Sequence, residues 1–392
     1  MNNRYLHRSK PFAFALKVLA LGVSLLTMLA ACGSVGSNST ATTASTSTDP
    51  AVAQAKAFVT KATAPATTWD GPTTGAKAQK SKLIVYVSSN QQNGGVLGVS
   101  KGVAEAAAAI GWKFQIIDGK GTVAGQTDAM NQAIALKPDG IILGGLDATS
   151  QKGALQKATS LGIKVVGWHA NSTPGPIPQV GVFTNVSSDP AQTAKLAADY
   201  AIAQSDGTAQ VVILTDSEYS IAVTKSQGMR TEIERCKGCK VLSYEDTPLS
   251  EVSTRMPPLV TSLIQRYNSK LTWMLGINDL YFDFAAPSLR SAGIGPGGPP
   301  QFVSAGDGSI SAYDRIRNGQ YQAATIPEPL NLQGWQIVDE LNRAFAGSQP
   351  SGYVTPVHLV TKANIGVDGG PQNIFDPGNG YRKQYQQIWG IA

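Results

Sequence analysis

The chain has 392 residues, 42% of them hydrophobic and 15% charged, which is too long for one small core and suits a globular body of two α/β lobes. The formal charge of +6 does not point to a nucleic-acid surface. Arg4, Arg8, Lys10 and Lys17 precede Cys32 with no acid among them, so of the 32 basic residues 28 remain in the body against 26 acidic ones.

Residues 1–31 read as a signal peptide: a basic start, then an apolar stretch over 18–31, shorter than the roughly 20 residues of a membrane-crossing helix. The stretch ends Leu29-Ala30-Ala31-Cys32-Gly33, which resembles a bacterial lipobox. That resemblance implies cleavage before Cys32 and acylation of its thiol and new amine, and several acyl chains together make a stable anchor. Residues 33–50 are rich in Ser, Thr and Ala without apolar periodicity, a flexible tether. The span 32–80 is therefore expected to be tether and arm, with Trp69-Asp70-Gly71-Pro72 packing onto the body.

From Leu83 onward, short apolar β-branched runs alternate with helical stretches. Strands are expected over 83–87, 113–117, 140–143, 164–167 and 180–184, and in a second series over 211–214, 240–244, 271–275, 302–305 and 323–325. Between the first two, Val96, Val99, Val103, Ala107 and Ile110 recur every three or four residues and make one apolar helical face, stopped by Gly111. Similar helices fit 123–136, 149–161, 190–204, 220–235, 258–268 and 330–346. Strands apolar throughout, with helical crossovers, imply parallel sheets covered on both faces. Ten strands exceed one comfortable sheet, so the expected fold is α/β, with two doubly wound parallel-sheet, Rossmann-like lobes.

Several local sequences then occur in a familiar order. Leu83-Ile84-Val85-Tyr86-Val87-Ser88-Ser89-Asn90, Lys137-Pro138-Asp139-Gly140-Ile141-Ile142-Leu143, Gly162-Ile163-Lys164-Val165-Val166-Gly167-Trp168-His169, Gly276-Ile277-Asn278-Asp279, Ser304-Ala305-Gly306-Asp307-Gly308 and Gln322-Ala323-Ala324-Thr325-Ile326 together resemble the type 1 periplasmic binding proteins of the ribose/galactose group. These share their two-lobed fold with the ligand-binding part of LacI-type repressors. The resemblance spans about 82–360 and implies a ligand cleft at the carboxyl ends of the strands, closed by a three-segment hinge near residues 187, 328 and 357. It places 81–187 plus 329–356 in an N-terminal lobe and 188–328 plus 357–392 in a C-terminal lobe. It also implies capture of a small polar molecule, a sugar above all, and delivery to the permease subunits of an ABC importer by a monomer held extracytoplasmically on its lipid anchor.

A sugar offers hydroxyls that donate and accept, and apolar C–H faces, so a dry cleft needs carboxylates, amides and aromatic rings. Asp307, between two glycines after a strand, matches the family's hydroxyl-accepting acid; the other reading is a turn aspartate. Asn278 matches a ligand-binding amide and Asp279 better suits a helix cap. Glu328 stands where relatives carry Gln or another polar group. Trp168 and His169 replace an acid–Arg pair, so Trp168 is expected to offer a stacking face and His169 a donor and acceptor. Asn90 and Gln92 come from an amide-dense loop, and Asp147 follows the third strand. The family's arginine after the sixth strand has no counterpart, since Val223 falls there, which leaves Asp216 and Tyr219 as candidates.

Cys236-Lys237-Gly238-Cys239 cannot complete a zinc site, because His169 and His358 lie far away in sequence; outside the membrane a local disulfide is expected. No metal, cofactor or catalytic motif is read: there is no G-x-S-x-G, H-E-x-x-H or phosphate-binding loop. No helix-turn-helix precedes the body. A ligand-sensing subunit for a membrane kinase or chemoreceptor, or a surface glycoside hydrolase using acids such as Asp147, Asp307 and Glu328, are the alternatives.

Overall fold

A computed structural model describes residues 49–392. The signal peptide, the acylated Cys32 and the first part of the tether lie outside the described residues. Helix α1 (Pro50–Ala62) starts where Asp49 accepts the Ala51 N–H and Pro50 fills the first turn, a proline position that forfeits no helical bond.

The first lobe runs β1 (Leu83–Ser88), α2 (Gly94–Ile110), β2 (Lys113–Asp118), α3 (Val123–Ala135), β3 (Gly140–Gly144), α4 (Lys152–Ser160), β4 (Lys164–Trp168), β5 (Gly175–Ile177) and β6 (Val182–Val186). Its sheet has the order β2-β1-β3-β4-β6-β5, parallel except for the short edge strand β5. The expected apolar face of α2 is buried against the sheet and against a later helix, Asn93 caps its start, and Gly111 ends it in the left-handed conformation.

The second lobe runs α5 (Pro190–Gln204), β7 (Gln210–Thr215), α6 (Ser220–Arg235), β8 (Lys240–Asp246), α7 (Val252–Tyr267), β9 (Trp273–Gly276), α8 (Leu280–Ser291), β10 (Gln301–Ser304), α9 (Ile310–Arg317) and β11 (Gln322–Thr325). After α10 (Leu330–Phe345) come β12 (Val360–Thr361), α11 (Ile365–Asp368) and α12 (Tyr381–Trp389). The second sheet has the order β12-β11-β10-β9-β7-β8, again parallel except at one edge, β12. Two doubly wound lobes are therefore present, as expected. Helices α8 and α9 were not expected, and α7 begins at Val252 rather than 258, with Pro257 and Pro258 inside it.

The path between the lobes is more complex than three crossings. The chain passes over at 187–189, 326–329 and 353–359, near the expected points. It also passes from α1 on the second lobe to the first lobe over 63–69, and from the second lobe to the first once more between α11 and α12. The assignment of all of 357–392 to the C-terminal lobe needs correcting. β12 and α11 stay there, but α12 packs on α10 and α2, and its Tyr381, Tyr385, Ile388 and Trp389 join the apolar core of the first lobe. Aromatic packing is the reason, with Trp389 stacked on Trp335 of α10 at 5.4 Å.

The arm is ordered at both ends. Val52, Ala55 and Ala62 of α1 enter the second lobe's core. Trp69 packs on Tyr353 and Tyr385, Tyr353 donates to Asp70 (2.6 Å), and the Thr74 and Ala76 carbonyls accept from Arg343 and Asn342 of α10. Cys236 and Cys239 are joined in a disulfide after α6, and Cys236 is buried.

Candidate ligand-binding site

A cavity of about 60 Å³ lies between the lobes, lined by residues that follow the carboxyl ends of strands: Ser89 after β1, Gly145 after β3, Trp168 and His169 at β4, Asn278 after β9 and Asp307 after β10. Tyr219, Ile221, Ala222 and Lys225 reach it from the start of α6, and Leu249 from the segment before α7. Around it the lobes touch. Ser220 donates from both its N–H and its hydroxyl to Asp147 Oδ2 (3.1 and 2.6 Å), and Gln126 Nε2 donates to the Tyr219 hydroxyl (3.0 Å). Helix α2 helps by having no side chain at Gly95, where a Cβ would come within 2.3 Å of the Asp307 carboxylate.

Asp307 is the centre of the polar wall. Its Oδ2 accepts from Asn278 Nδ2 (2.9 Å), while Oδ1 stands 3.7 Å from both Lys225 Nζ and His169 Nδ1, beyond hydrogen-bond distance. The His169 ring lies on Trp168, with centroids 3.9 Å apart, and its Nε2 is 3.1 Å from Glu328 Oε1. Burial works to raise the Glu328 pKa, but the His169 hydrogen bond, the charges of His169 and Lys225 and the Ser188 hydroxyl outweigh it and hold the acid down at about 2. Ionised Glu328 can only accept, so Nε2 of His169 carries a proton and Nδ1 faces the cavity.

Glu328 itself is a hinge residue. Its Oε2 accepts from the Ser188 N–H (3.2 Å), the Ser188 hydroxyl (2.7 Å) and Gln333 Nε2, and Thr355 bonds both Ser188 and Gln333 at 2.8 Å. Ser188, Glu328 and Thr355 come from three different crossings, so the network ties these segments together.

The sequence candidates thus separate. Trp168, His169, Tyr219, Asn278 and Asp307 line the cavity. Trp168 differs from its expected role: His169 covers one face, its Nε1 donates to Gln333 Oε1 (2.7 Å), and it is 1% exposed, so it supports His169 rather than offering a stacking face. Asp147 caps the turn at Thr149 and Ser150 and holds Ser220 across the cleft. Asp216 is a buried turn acid that accepts from the Glu218 and Leu249 N–H groups, and burial, only partly offset by these bonds, raises it to about 6. Asn90 accepts from the Gln92 N–H, Gln92 is exposed, and neither lines the cavity. Asp279 holds the Gly308 and Ser309 N–H groups in place, so it shapes the Asp307 loop.

One residue was missed. Lys225 brings a cation to the site from α6, where the reading from the sequence found none and pointed to Val223, which is exposed. The available signal was helical phase: Ile221, Ala222 and Lys225 share one face of α6. A larger depression of about 440 Å³ lies behind the hinge, against Phe58, Pro65, Tyr353 and Phe375. It lies away from the strand ends, and no such convergence of charged groups marks it.

The periplasmic binding protein domain model matches residues 84–349. The chain belongs to the periplasmic binding protein family. No curated protein sequence matches it, whereas solved structures of sugar-binding proteins share its fold. A galactofuranose-binding protein shares 18% identity, with 79% of this chain and 99% of that one covered and a TM-score of 0.64. The binding component of the arabinose ABC transporter of Shewanella sp. ANA-3, bound to L-arabinofuranose, shares 17%, with 79% and 97% covered and a TM-score of 0.62. An ABC transporter solute-binding protein of Agrobacterium vitis bound with α-D-tagatopyranose shares 19%, with 75% and 99% covered and a TM-score of 0.66. At these identities the match establishes the fold.

Proposed function

We propose that the protein is an extracytoplasmic solute-binding protein that captures a small polyhydroxylated ligand, a sugar, by lobe closure, hands it to the permease of an ABC importer, and is held at the membrane by acyl chains on Cys32. One observation carries the ligand class. Asp307 Oδ1 faces Lys225 Nζ and His169 Nδ1 at 3.7 Å each, so the site presents an acceptor and a donor with a gap between them. A hydroxyl set beside the pair can bridge it, accepting from the ammonium and donating to the carboxylate. Glycosidic cleavage needs a second free carboxylate at the cavity. Glu328 is not free, since His169 engages one of its oxygens and Ser188 and Gln333 the other.

The sugar bound by each solved relative supports the class and not the individual compound. The test is a thermal-shift screen of the purified protein against sugars, polyols, nucleosides, amino acids and aromatic acids. A ligand of the folded state at a hundred times its dissociation constant adds about 2.7 kcal/mol. A shift with a hydroxylated compound that Asp307→Asn abolishes is the expected result. A shift with amino or aromatic acids alone would refute the sugar reading and leave the binding-protein fold intact.

A further inference from the structure

Two of the places where the lobes touch are built from groups that do not line the cavity. The first is the start of α2. A Cβ at Gly95 would stand 2.5 Å from Asp307 Cβ and 2.7 Å from its Cγ, and one at Gly94 would stand 2.6 Å from Ser309 Cβ, closer than real Cβ atoms come. The facing loop has little room to yield. Asp279 accepts from the Gly308 and Ser309 N–H groups (2.8 and 3.2 Å), and Asn278 donates to Asp307 (2.9 Å). Nor does α2 need glycine for its own sake. Both residues lie in the helix with negative φ, and Asn93 already caps it by accepting from the Gly95 and Val96 N–H groups. Glycine in a helix is less favourable than alanine. The pair therefore weakens its own helix, and what it permits is a close approach of the other lobe.

The second place is the start of α6. Its N-cap, Tyr219, supplies no side-chain cap, and the Ser220 N–H donates instead to Asp147 of the facing lobe (3.1 Å). Asp147 divides its oxygens between the lobes. Oδ1 accepts from Thr149 and Ser150 of its own turn (2.9 and 3.2 Å), and Oδ2 accepts both Ser220 donors. An anion at a helix N-terminus is favourable, and this one reaches α6 only when the lobes are together. The turn it holds carries Tyr219, Ile221 and Ala222 of the cavity wall. The two places share no residue.

From these contacts, and resting on the lobe-closure reading above, we infer that Gly94 and Gly95 form a closure seat, that Asp147 is a closure latch, and that together they hold the lobes shut for most of the time before ligand arrives. Asp147 is a positioning residue: it touches no ligand and fixes the first turn of α6. The affinity of the site is then set in part by residues outside it, because a ligand whose partners converge only in the closed form binds more weakly as that form becomes rarer.

Hydrogen exchange at the Ser220 amide, followed by NMR on the purified protein without added ligand, tests this. Among the described residues that N–H has one acceptor, Asp147 Oδ2, so its exchange reports closure. Slow exchange is expected in the natural protein. Gly94→Ala and Gly95→Ala should each speed it by about tenfold or more, although neither residue touches Ser220. Gly153→Ala in α4, where a Cβ meets nothing, should leave it unchanged. Gly94→Ala should not lower the melting temperature, since alanine favours the helix. Asp147→Asn has one accepting oxygen where the natural residue uses two, and should speed exchange at Ser220 by about tenfold.

Exchange at the rate of an unprotected amide in the natural protein overturns closure ahead of ligand. A rate unchanged by both glycine substitutions overturns the seat, and one unchanged by Asp147→Asn overturns the latch. Faster exchange through β1 and β3 as well would mean that the first lobe itself had loosened, and also overturns the seat. None of these outcomes bears on the ligand class, which the screen above decides separately.

Discussion

On the cleft side the lobes meet through a few polar contacts, Ser220 on Asp147 and Gln126 on Tyr219, around a carboxylate oxygen, Asp307 Oδ1, that stands 3.7 Å from both His169 Nδ1 and Lys225 Nζ, beyond bonding distance. On the hinge side five passages of the chain lie together, and the Glu328 carboxylate has both oxygens bonded, by His169 on one and by Ser188 and Gln333 on the other. The difference separates motion from support. If the protein works by lobe closure as proposed, opening has to break the cleft contacts, which water can replace, and has to leave the hinge network whole. On the proposed function, the ligand belongs on the cleft side, where a carboxylate oxygen, an ammonium and an imidazole nitrogen gain partners when it arrives, whereas the saturated network at Glu328 has nothing more to gain.

The strongest way to break this comparison is to remove the hinge-side reinforcement. Deleting residues 49–80 strips Val52 and Phe58 from the second lobe and Trp69 from Tyr353 and Tyr385. At about 1.5–3 kcal/mol for each large apolar side chain, the loss exceeds about 5 kcal/mol and should bring aggregation or a strongly lowered melting temperature. A truncated protein that melts within a few degrees of the full chain would show that the arm is dispensable. Glu328→Leu comes next. It leaves His169, the Ser188 donors and Gln333 without their buried acceptor, at a cost of about 3–5 kcal/mol. Because the folded pKa is about 2, below the ordinary value of 4.5, the contribution of Glu328 is present above pH 4.5 and is lost as the pH falls towards 2. Acid titration of the melting temperature should therefore be flatter over that window in the variant than in the natural protein.

A carboxylate away from both surfaces shows the opposite sign. Burial, with Asp339 nearby and against the bonds from Ser351, raises Glu340 of α10 to about 7. Its folded state keeps a proton that the unfolded chain releases above 4.5, so stability falls as the pH rises from about 4.5 to 7. Glu340→Gln should remove up to about 3 kcal/mol of that fall, read as melting temperatures at pH 5 and pH 8 that move closer together. An unchanged difference would assign the slope to the other buried acids raised to about 6, Asp216 and Asp199.

How much of this was legible follows from the physics of each element. Central strands such as β1 and β3 are buried on both faces, so their runs of apolar residues announce themselves. Helix α8 carries Pro287 inside it and α9 is short, which blunts the helical signal in the sequence. Nothing local marks α12 as part of the first lobe; the stacking of Trp389 on Trp335, some fifty residues back in the chain, decides it. In the site, Asp307 and Asn278 were readable because they sit directly at strand ends. Lys225 was not, because a lysine five residues into an amphipathic helix looks like a solvated one until the Gly306–Asp307 loop of its own lobe is seen beside it.

Trp168 joins the two regions and gives the smallest test. Its ring carries His169, and its Nε1 donates to Gln333, which in turn donates to Glu328 and Thr355. Trp168→Phe keeps a stacking surface and removes that donor, leaving Gln333 Oε1 buried without it at about 1 kcal/mol. If the two sides are as separate as their bonding suggests, the variant should melt slightly lower and bind its ligand within about threefold of the natural protein, a change of under about 1 kcal/mol. A larger loss of affinity at the same small cost in stability would mean that the orientation of His169, and with it the Asp307 gap, is set from the hinge through Gln333.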